Sequence, residues 1–154
     1  MENKNTGLSV ITDVAQVSIL DQFKNPSGQF YCSIADDGKR ESKKAIYNAI
    51  QNATDRIENN INKTIEIVNV IAHPVELFDE ETGEVFEAIR TVLVTKDGKS
   101  YEAVSGGIAN AISRIMSIMG SPDGGEWEKD PIKATIVQKP TRNGSNKILT
   151  LELV

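Results

Sequence analysis

Cysteine and histidine are scarce in this chain, which contains one of each, Cys32 and His73. A single cysteine cannot form an internal disulfide bond, which is typical of proteins in a reducing cytoplasm. One cysteine and one histidine cannot supply the four ligands of a Cys/His zinc site. We therefore expect no disulfide, no metal ion, no cofactor and a cytoplasmic location.

Long apolar runs are also missing. No run approaches the roughly 18 residues that a membrane-spanning helix requires. Residues 1–7 are polar and do not resemble a secretion signal. We therefore expect no membrane partner. The length of 154 residues suits one compact domain with a sizeable core.

Sequence signatures of catalysis are incomplete. Ser105-Gly106-Gly107 precedes a predicted helix, as phosphate-binding loops do, but the Walker pattern with its closing Lys-Ser/Thr is missing. The acidic residues 79–84 lack the ligand spacing of an EF-hand loop. Cys32 and His73 have no supporting signature of a nucleophile pair, and a lone histidine inside a strand is typically structural. We predict that the chain is not an enzyme.

Clear strand and helix patterns begin at residue 64. Alternating and β-branched residues predict five strands, and apolar residues spaced three and four apart predict a helix that ends at Gly120. The strands are residues 64–77, 85–95, 100–104, 132–138 and 147–153, and the helix is residues 108–119. This order predicts an α+β, mostly β domain, namely an OB-fold. Such a fold is a five-stranded Greek-key barrel, here with a helix between strands three and four.

The first 60 residues show a weaker pattern. Residues 10–23 fit a helix or a strand, residues 29–35 predict a strand, and residues 42–59 predict a helix with Ser42 as N-cap. We predict that residues 1–60 form a strand-and-helix extension packed on the barrel of residues 61–154. The two parts together would make one structural domain.

Charge is strongly segregated along the chain. The net charge of −5 is unusual for a nucleic-acid-binding domain, but binding depends on the local field of one face. Residues 76–87 contain acids and no base, whereas bases predominate in residues 131–154. A short basic cluster opens the predicted helix 42–59, and it could reach nucleic acid or form only a solvated face: Lys39, Arg40, Lys43 and Lys44.

An OB barrel binds single-stranded nucleic acid through a positive groove and aromatic rings on which bases stack. Arg142 would lie in the loop between strands four and five, and Arg90 on strand two. The candidate cations are Arg90, Lys96, Lys99, Lys133, Lys139, Arg142 and Lys147, and the candidate stacking residues are Tyr101 and Phe86, followed by Tyr31 and Trp127. The turn lysines could equally be only solvated, Phe86 could belong to the core, and Trp127 could cover the end of the barrel.

Three segments of the sequence, taken together, show a resemblance to a known family. Ala72-His73-Pro74-Val75-Glu76-Leu77, Arg90-Thr91-Val92-Leu93-Val94 and Lys139-Pro140-Thr141-Arg142-Asn143-Gly144 resemble small single-stranded DNA-binding proteins of phages and mobile elements of Gram-positive bacteria. The resemblance spans roughly residues 40–154. It implies a protein that coats and protects single-stranded DNA during phage replication with little sequence specificity. The location would then be the cytoplasm of the host cell.

Single-stranded DNA is thus the predicted partner, with RNA as an alternative and with homo-oligomers and host or phage replication proteins as further candidates. Because the chain ends in an apolar strand, we expect no partner recruitment through an acidic tail of the kind found in cellular bacterial proteins. The rival function is an acidic OB-like protein–protein interaction module or a phage-encoded inhibitor of a host protein. A continuous basic groove would favour the first reading, and an acidic or apolar patch the second.

Overall fold

The computed structural model describes residues 31–144 and 146–154, so the segment 10–23 lies outside the described residues. The strands are β1 (Tyr31–Cys32), β2 (Asp55–Arg56), β3 (Thr64–Phe78), β4 (Val85–Thr95), β5 (Ser100–Ala103), β6 (Ile132–Pro140) and β7 (Lys147–Leu153). The α-helices are α1 (Arg40–Gln51), α2 (Gly106–Met119) and α3 (Glu126–Lys129). Short 3₁₀ turns cover Ile57–Asn60 and Asp123–Gly125. None of the helices described here is long and apolar enough to cross a membrane.

One curled sheet organises the fold. Its strand order is β2-β5-β4-β3-β6-β7, and β1 pairs with β3 beside this path. The pairs are antiparallel except for β2 with β5, which is parallel. Between the strands described here no pairing joins β5 to β7, so the sheet forms a half-barrel. This mixed α+β, mostly β architecture is compatible with the OB-like fold that the sequence predicts.

The sheet is covered on both faces, which explains why residues 67–72 of β3 are buried without alternation. On the inner face Val70 and Leu93 pack with Ile108 and Ile112 of α2. On the outer face Ile71 and Val92 pack with Ile46 and Ala49 of α1 and with Cys32 of β1. Helices α1 and α2 therefore lie on opposite faces of the same strands.

Helix α2 starts earlier than predicted, because Ser105 is its N-cap. The Ser105 hydroxyl accepts hydrogen bonds from the backbone N–H groups of Gly107 and Ile108. Gly120, with φ of +90°, ends the helix as predicted. Gly107 lies directly against β7, since a Cβ atom there would be 2.1 Å from the Leu149 carbonyl oxygen.

The predicted helix 42–59 is too long and begins at the wrong cap. Helix α1 ends at Gln51, because Asp55 and Arg56 pair with β5 and Ile57 is fully buried in the inner cluster. These non-local contacts outweigh the helical periodicity of the segment. Lys39 occupies the N-cap position, and the Ser42 hydroxyl instead donates a 2.7 Å hydrogen bond to Asp37 Oδ1.

Strands β4 and β7 match the predicted bounds, and the remaining strands differ at their ends. Strand β5 ends at Ala103, one residue early, while β3 and β6 run on to Phe78 and Pro140. Of the predicted strand 29–35, β1 covers Tyr31–Cys32, while residues 29 and 30 lie outside the described residues.

A two-stranded arm projects from the sheet. Beyond Ala72 and Thr91, β3 and β4 pair only with each other among the described residues, from His73 opposite Arg90 to Phe78 opposite Val85. We call residues 73–90 the acidic arm. It carries the acids Glu76, Asp79, Glu80, Glu81, Glu84 and Glu87.

Candidate nucleic-acid interface

A cleft of about 400 Å³ opens between the start of β3 and the β4–β5 turn. The Asp97-Gly98 turn closes this hairpin, with Gly98 at a φ of +86° that favours glycine. The backbone N–H of Lys96 donates a 2.9 Å hydrogen bond to the Glu66 carbonyl and so ties the turn to β3. The cleft is lined by Lys63, Thr64, Ile65, Glu66, Thr95, Lys96, Asp97 and Tyr101.

Lys63 and Tyr101 meet inside this cleft. The Lys63 ammonium donates a 2.8 Å hydrogen bond to the Tyr101 hydroxyl and lies 5.2 Å from the ring centroid. That hydrogen bond is the main cause of a raised pKa at Lys63, and the partial desolvation of the ammonium opposes it. Lys63 is thus a fully charged cation with a defined position at the mouth of the cleft.

Tyr101 is not the exposed stacking residue that the sequence predicts. The residue is 2% exposed, because its ring packs in the inner cluster and only its hydroxyl end reaches Lys63. Tyr31 and Trp127 are buried as well, at 2% and 3% exposure. The Tyr31 hydroxyl donates to Asp123 Oδ1, and the Trp127 indole donates to the Gly120 carbonyl. None of the three offers a free ring face in this structure.

Three of the predicted cations lie in or next to the cleft, although only Lys96 is part of its lining. Lys96 and Lys99 are exposed in the β4–β5 turn, and Lys133 is exposed on β6. Lys133 lies opposite Glu66 in the register of β3 and β6. The Asp97 carboxylate accepts hydrogen bonds from Thr95 Oγ1 and the Lys99 N–H, of which the first is the main cause of its lowered pKa. The lining of the cleft itself carries two bases, Lys63 and Lys96, and two acids, Glu66 and Asp97, so the excess of cations comes from Lys99 and Lys133 beside it.

The other predicted basic residues lie at the far end of the β6–β7 hairpin. Lys139 is six positions along β6 from Lys133, a separation of about 20 Å at strand geometry. The Lys139 ammonium lies 2.8 Å from Glu152 Oε2, with both side chains half exposed. Arg142 and Lys147 are exposed in the turn and at the start of β7. Arg142 and Lys147 have no ion pair within the described part of the chain.

Arg90 lies on the outer face of the sheet, where its charge is already compensated. Its Nε donates to Glu102 Oε1 at 2.7 Å, and its Nη1 lies 3.1 Å from His73 Nε2. The side chain is 14% exposed. Burial, and next the Arg90 charge, lower the pKa of His73, so the imidazole is neutral near neutral pH. Arg90 therefore offers less uncompensated charge to a phosphate than Arg142 does.

Phe86 is exposed rather than part of the core. It is 48% exposed on the acidic arm, opposite Leu77 in the β3–β4 register. Seven positions of β4 separate it from Leu93, the partner of Tyr101, which corresponds to about 23 Å. The predicted site residues thus form three groups: around the cleft, at the β6–β7 turn, and on the acidic arm.

Nothing in the described ranges suggests a metal centre, because no cluster of three or more His, Cys, Asp or Glu side chains is placed to hold an ion.

The model of a family described as phage single-stranded DNA-binding protein matches residues 25–154. The chain belongs to this family. The match confirms the resemblance seen in the sequence and assigns the chain to single-stranded DNA binding in phage DNA replication. Proteins of this family are generally DNA-binding proteins rather than enzymes. Neither the curated proteins nor the solved structures gave a match.

Two residues that this structure places at DNA-accessible positions were not among the sequence candidates. Lys63 precedes β3 as an ordinary turn lysine, and its only local signal is its position next to the first residue of a long strand. Tyr47 is 61% exposed on α1. Its spacing of three and four residues from Lys44 and Lys43 is a signal that the sequence does contain.

Proposed function

We propose that the chain coats and protects single-stranded DNA exposed during phage replication, with little sequence specificity. The family match over residues 25–154 carries this proposal. The cleft supports it, because its volume lies within the range of about 300–1,000 Å³ typical of ligand sites and cations border it. Contacts to phosphates carry no base information, so such a surface would bind most sequences similarly.

Lys63 acts in this proposal as a phosphate contact that Tyr101 holds in place. A lysine loses roughly 0.5–1.5 kcal/mol when a binding partner immobilises it. The hydrogen bond from Lys63 to the Tyr101 hydroxyl meets part of that cost before DNA arrives. Tyr101 is therefore a positioning residue, because its buried ring fixes the position of the hydroxyl that binds Lys63.

The remaining phosphate contacts come from two places. Lys96, Lys99 and Lys133 contact the phosphates of DNA near the cleft. Arg142 and Lys147 contact DNA phosphates at the β6–β7 turn. Arg90 contributes less, because it is 14% exposed and paired with Glu102, whereas the half-exposed pair of Lys139 with Glu152 can exchange for a phosphate. Phe86 remains a candidate for base stacking through its exposed ring, although the acids of the arm oppose a DNA backbone there.

One OB-type domain covers only about 4–16 nucleotides. Coating a long strand therefore requires many copies, and we propose that neighbouring copies contact one another and the replication proteins of phage or host. The same phosphate contacts could also bind single-stranded RNA. We propose DNA as the partner because the family is described as single-stranded DNA-binding.

Fluorescence anisotropy with labelled oligo-dT tests the proposal directly. Affinity is measured at low and at moderate salt, with duplex DNA and single-stranded RNA as unlabelled competitors. Tight binding that salt weakens and duplex DNA does not displace is the expected result. Absence of binding at low salt would overturn the proposal.

A second function, a contact with a basic protein surface, is favoured by the acidic arm. Phe78, Val85 and Phe86 are 62%, 61% and 48% exposed among its acids. Exposed apolar residues with a charged rim are typical of protein interaction sites. A Phe78→Ser/Val85→Ser variant, which leaves the candidate stacking residue Phe86 intact, should keep oligo-dT binding and lose capture of a phage or host replication protein. If the variant and wild type capture the same proteins equally, the arm has no such role.

A further inference from the structure

Helix α1 covers the sheet face that an OB barrel generally uses for nucleic acid. That face is built on the second and third strands of the barrel, here β4 and β5. On its outer side Val92 of β4 packs against Ile46 and Ala49 of α1. Glu102 of β5 lies opposite Val92 and pairs with Arg90. A DNA strand that approaches this side therefore meets the exposed face of α1 before it meets the sheet.

The exposed face of α1 carries cations and one aromatic ring on the same side. Arg40, Lys43 and Lys44 precede Tyr47 by seven, four and three residues, which places all four side chains along one stripe of the helix. Tyr47 is 61% exposed, so its ring is accessible from solvent. We call these four residues the α1 stripe.

The ion pairs of the stripe are weak enough to exchange for phosphates. Lys43 lies 3.3 Å from Asp36 and Lys44 lies 3.5 Å from Glu41, with both lysine side chains more than half exposed. Exposed pairs of this kind contribute roughly 0–1 kcal/mol. A base stacked on an aromatic ring contributes about 1–3 kcal/mol, and each phosphate contact also releases counterions.

We propose that the α1 stripe is a second contact surface for single-stranded DNA, in which Tyr47 stacks a base and Arg40, Lys43 and Lys44 contact phosphates. This inference rests on the proposed function and adds a site to it. The stripe combines the two features that sequence-tolerant binding of a single strand needs, a row of cations and a free ring face. The acidic arm, by contrast, has exposed rings, but its one lysine or arginine, Arg90, is already paired with Glu102.

Three variants test the stripe in the oligo-dT assay. Tyr47→Ala should lower affinity by about 5- to 150-fold, the equivalent of one lost stack, while Tyr47→Phe should bind like wild type. A Lys43→Gln/Lys44→Gln variant should lower the salt slope by about 1.4, because each contact to a single strand contributes about 0.7. All of these side chains are exposed, so the thermal midpoints should stay near that of wild type.

Arg114→Gln is the matched control, because Arg114 is an exposed cation on α2, on the opposite face of the sheet. It should change neither affinity nor slope appreciably. If wild type binds but Tyr47→Ala and the double lysine variant bind equally well, the stripe is not a DNA contact. If Arg114→Gln lowered affinity and salt slope as much per removed charge as the double lysine variant does, the inference would also be overturned. Failure of wild type itself to bind would instead overturn the proposed function.

Discussion

Lys63 and Tyr101 are 38 residues apart in sequence, yet the ammonium of the first donates a 2.8 Å hydrogen bond to the hydroxyl of the second. The contact joins an exposed cation to a side chain that is 2% exposed. A rigid core residue thus fixes the position of a mobile surface charge. Preorganisation of this kind lowers the entropy lost on binding.

Charge and position of Lys63 can be separated by mutation. Tyr101→Phe keeps the packed ring and removes the acceptor, so affinity for oligo-dT should fall by about two- to twelvefold at an unchanged salt slope. Lys63→Met removes the charge, so the slope itself should fall by about 0.7. Anisotropy titrations over a range of salt concentrations measure both. Wild-type values in both variants would show that DNA does not use the cleft.

Arg142 and Arg90 should differ in their effect on salt dependence. Arg142→Ala removes an exposed turn cation and should weaken binding and lower the slope by about 0.7. Arg90→Ala should change the slope less, because Glu102 already compensates the guanidinium at 2.7 Å. Both slopes come from the same titrations, after circular dichroism has verified the folds. If neither variant alters the slope, the assignment of both arginines to the DNA-binding surface is wrong.

Gly107 should be intolerant of any side chain. An added Cβ would lie 2.1 Å from the Leu149 carbonyl oxygen and 2.7 Å from Ile148 Cγ1, so α2 and β7 would have to separate. Gly107→Ala should lower the free energy of unfolding by about 1–3 kcal/mol or more. Gly106→Ala is the control, since no atom lies within 4 Å of its added Cβ, and it should be neutral or stabilise by up to about 1 kcal/mol. Urea unfolding of both variants measures the difference, and equal stability would contradict the close helix–strand contact.

His73 should make stability depend on pH. Burial, and next the charge of Arg90, lower its pKa from 6.5 in the folded protein, so the unfolded chain binds a proton more readily. The neutral imidazole therefore adds to the free energy of unfolding at pH values above the pKa of His73 in the unfolded chain. This stabilisation is lost as the pH falls towards the lower pKa of His73 in the folded protein. Wild type should therefore lose more stability than His73→Gln between about pH 7 and pH 5. Urea unfolding of both proteins at the two pH values checks this, and parallel losses would refute it.

Local patterns determined the parts of the fold that depend on neighbouring residues. The bounds of β4 and β7 follow from alternating side chains, and the β4–β5 turn follows from Asp97-Gly98. The end of α2 at Gly120 follows from the tolerance of glycine for positive φ. The concentration of acids in residues 76–87 likewise follows from the sequence alone.

The sequence by itself therefore determined the order of the five strands from residue 64 onward and the helix that ends at Gly120, but not the short helix α3 (Glu126–Lys129). It also determined the charge asymmetry and the resemblance to the phage single-stranded DNA-binding family. Only the tertiary structure decided that residues 55–56 pair with β5 instead of extending a helix, that Tyr101 is buried and that Arg90 is neutralised by Glu102. The reason is physical. Periodicity and turn chemistry act over a few residues, whereas burial and ion pairing depend on which distant segments the folded sheet brings into contact.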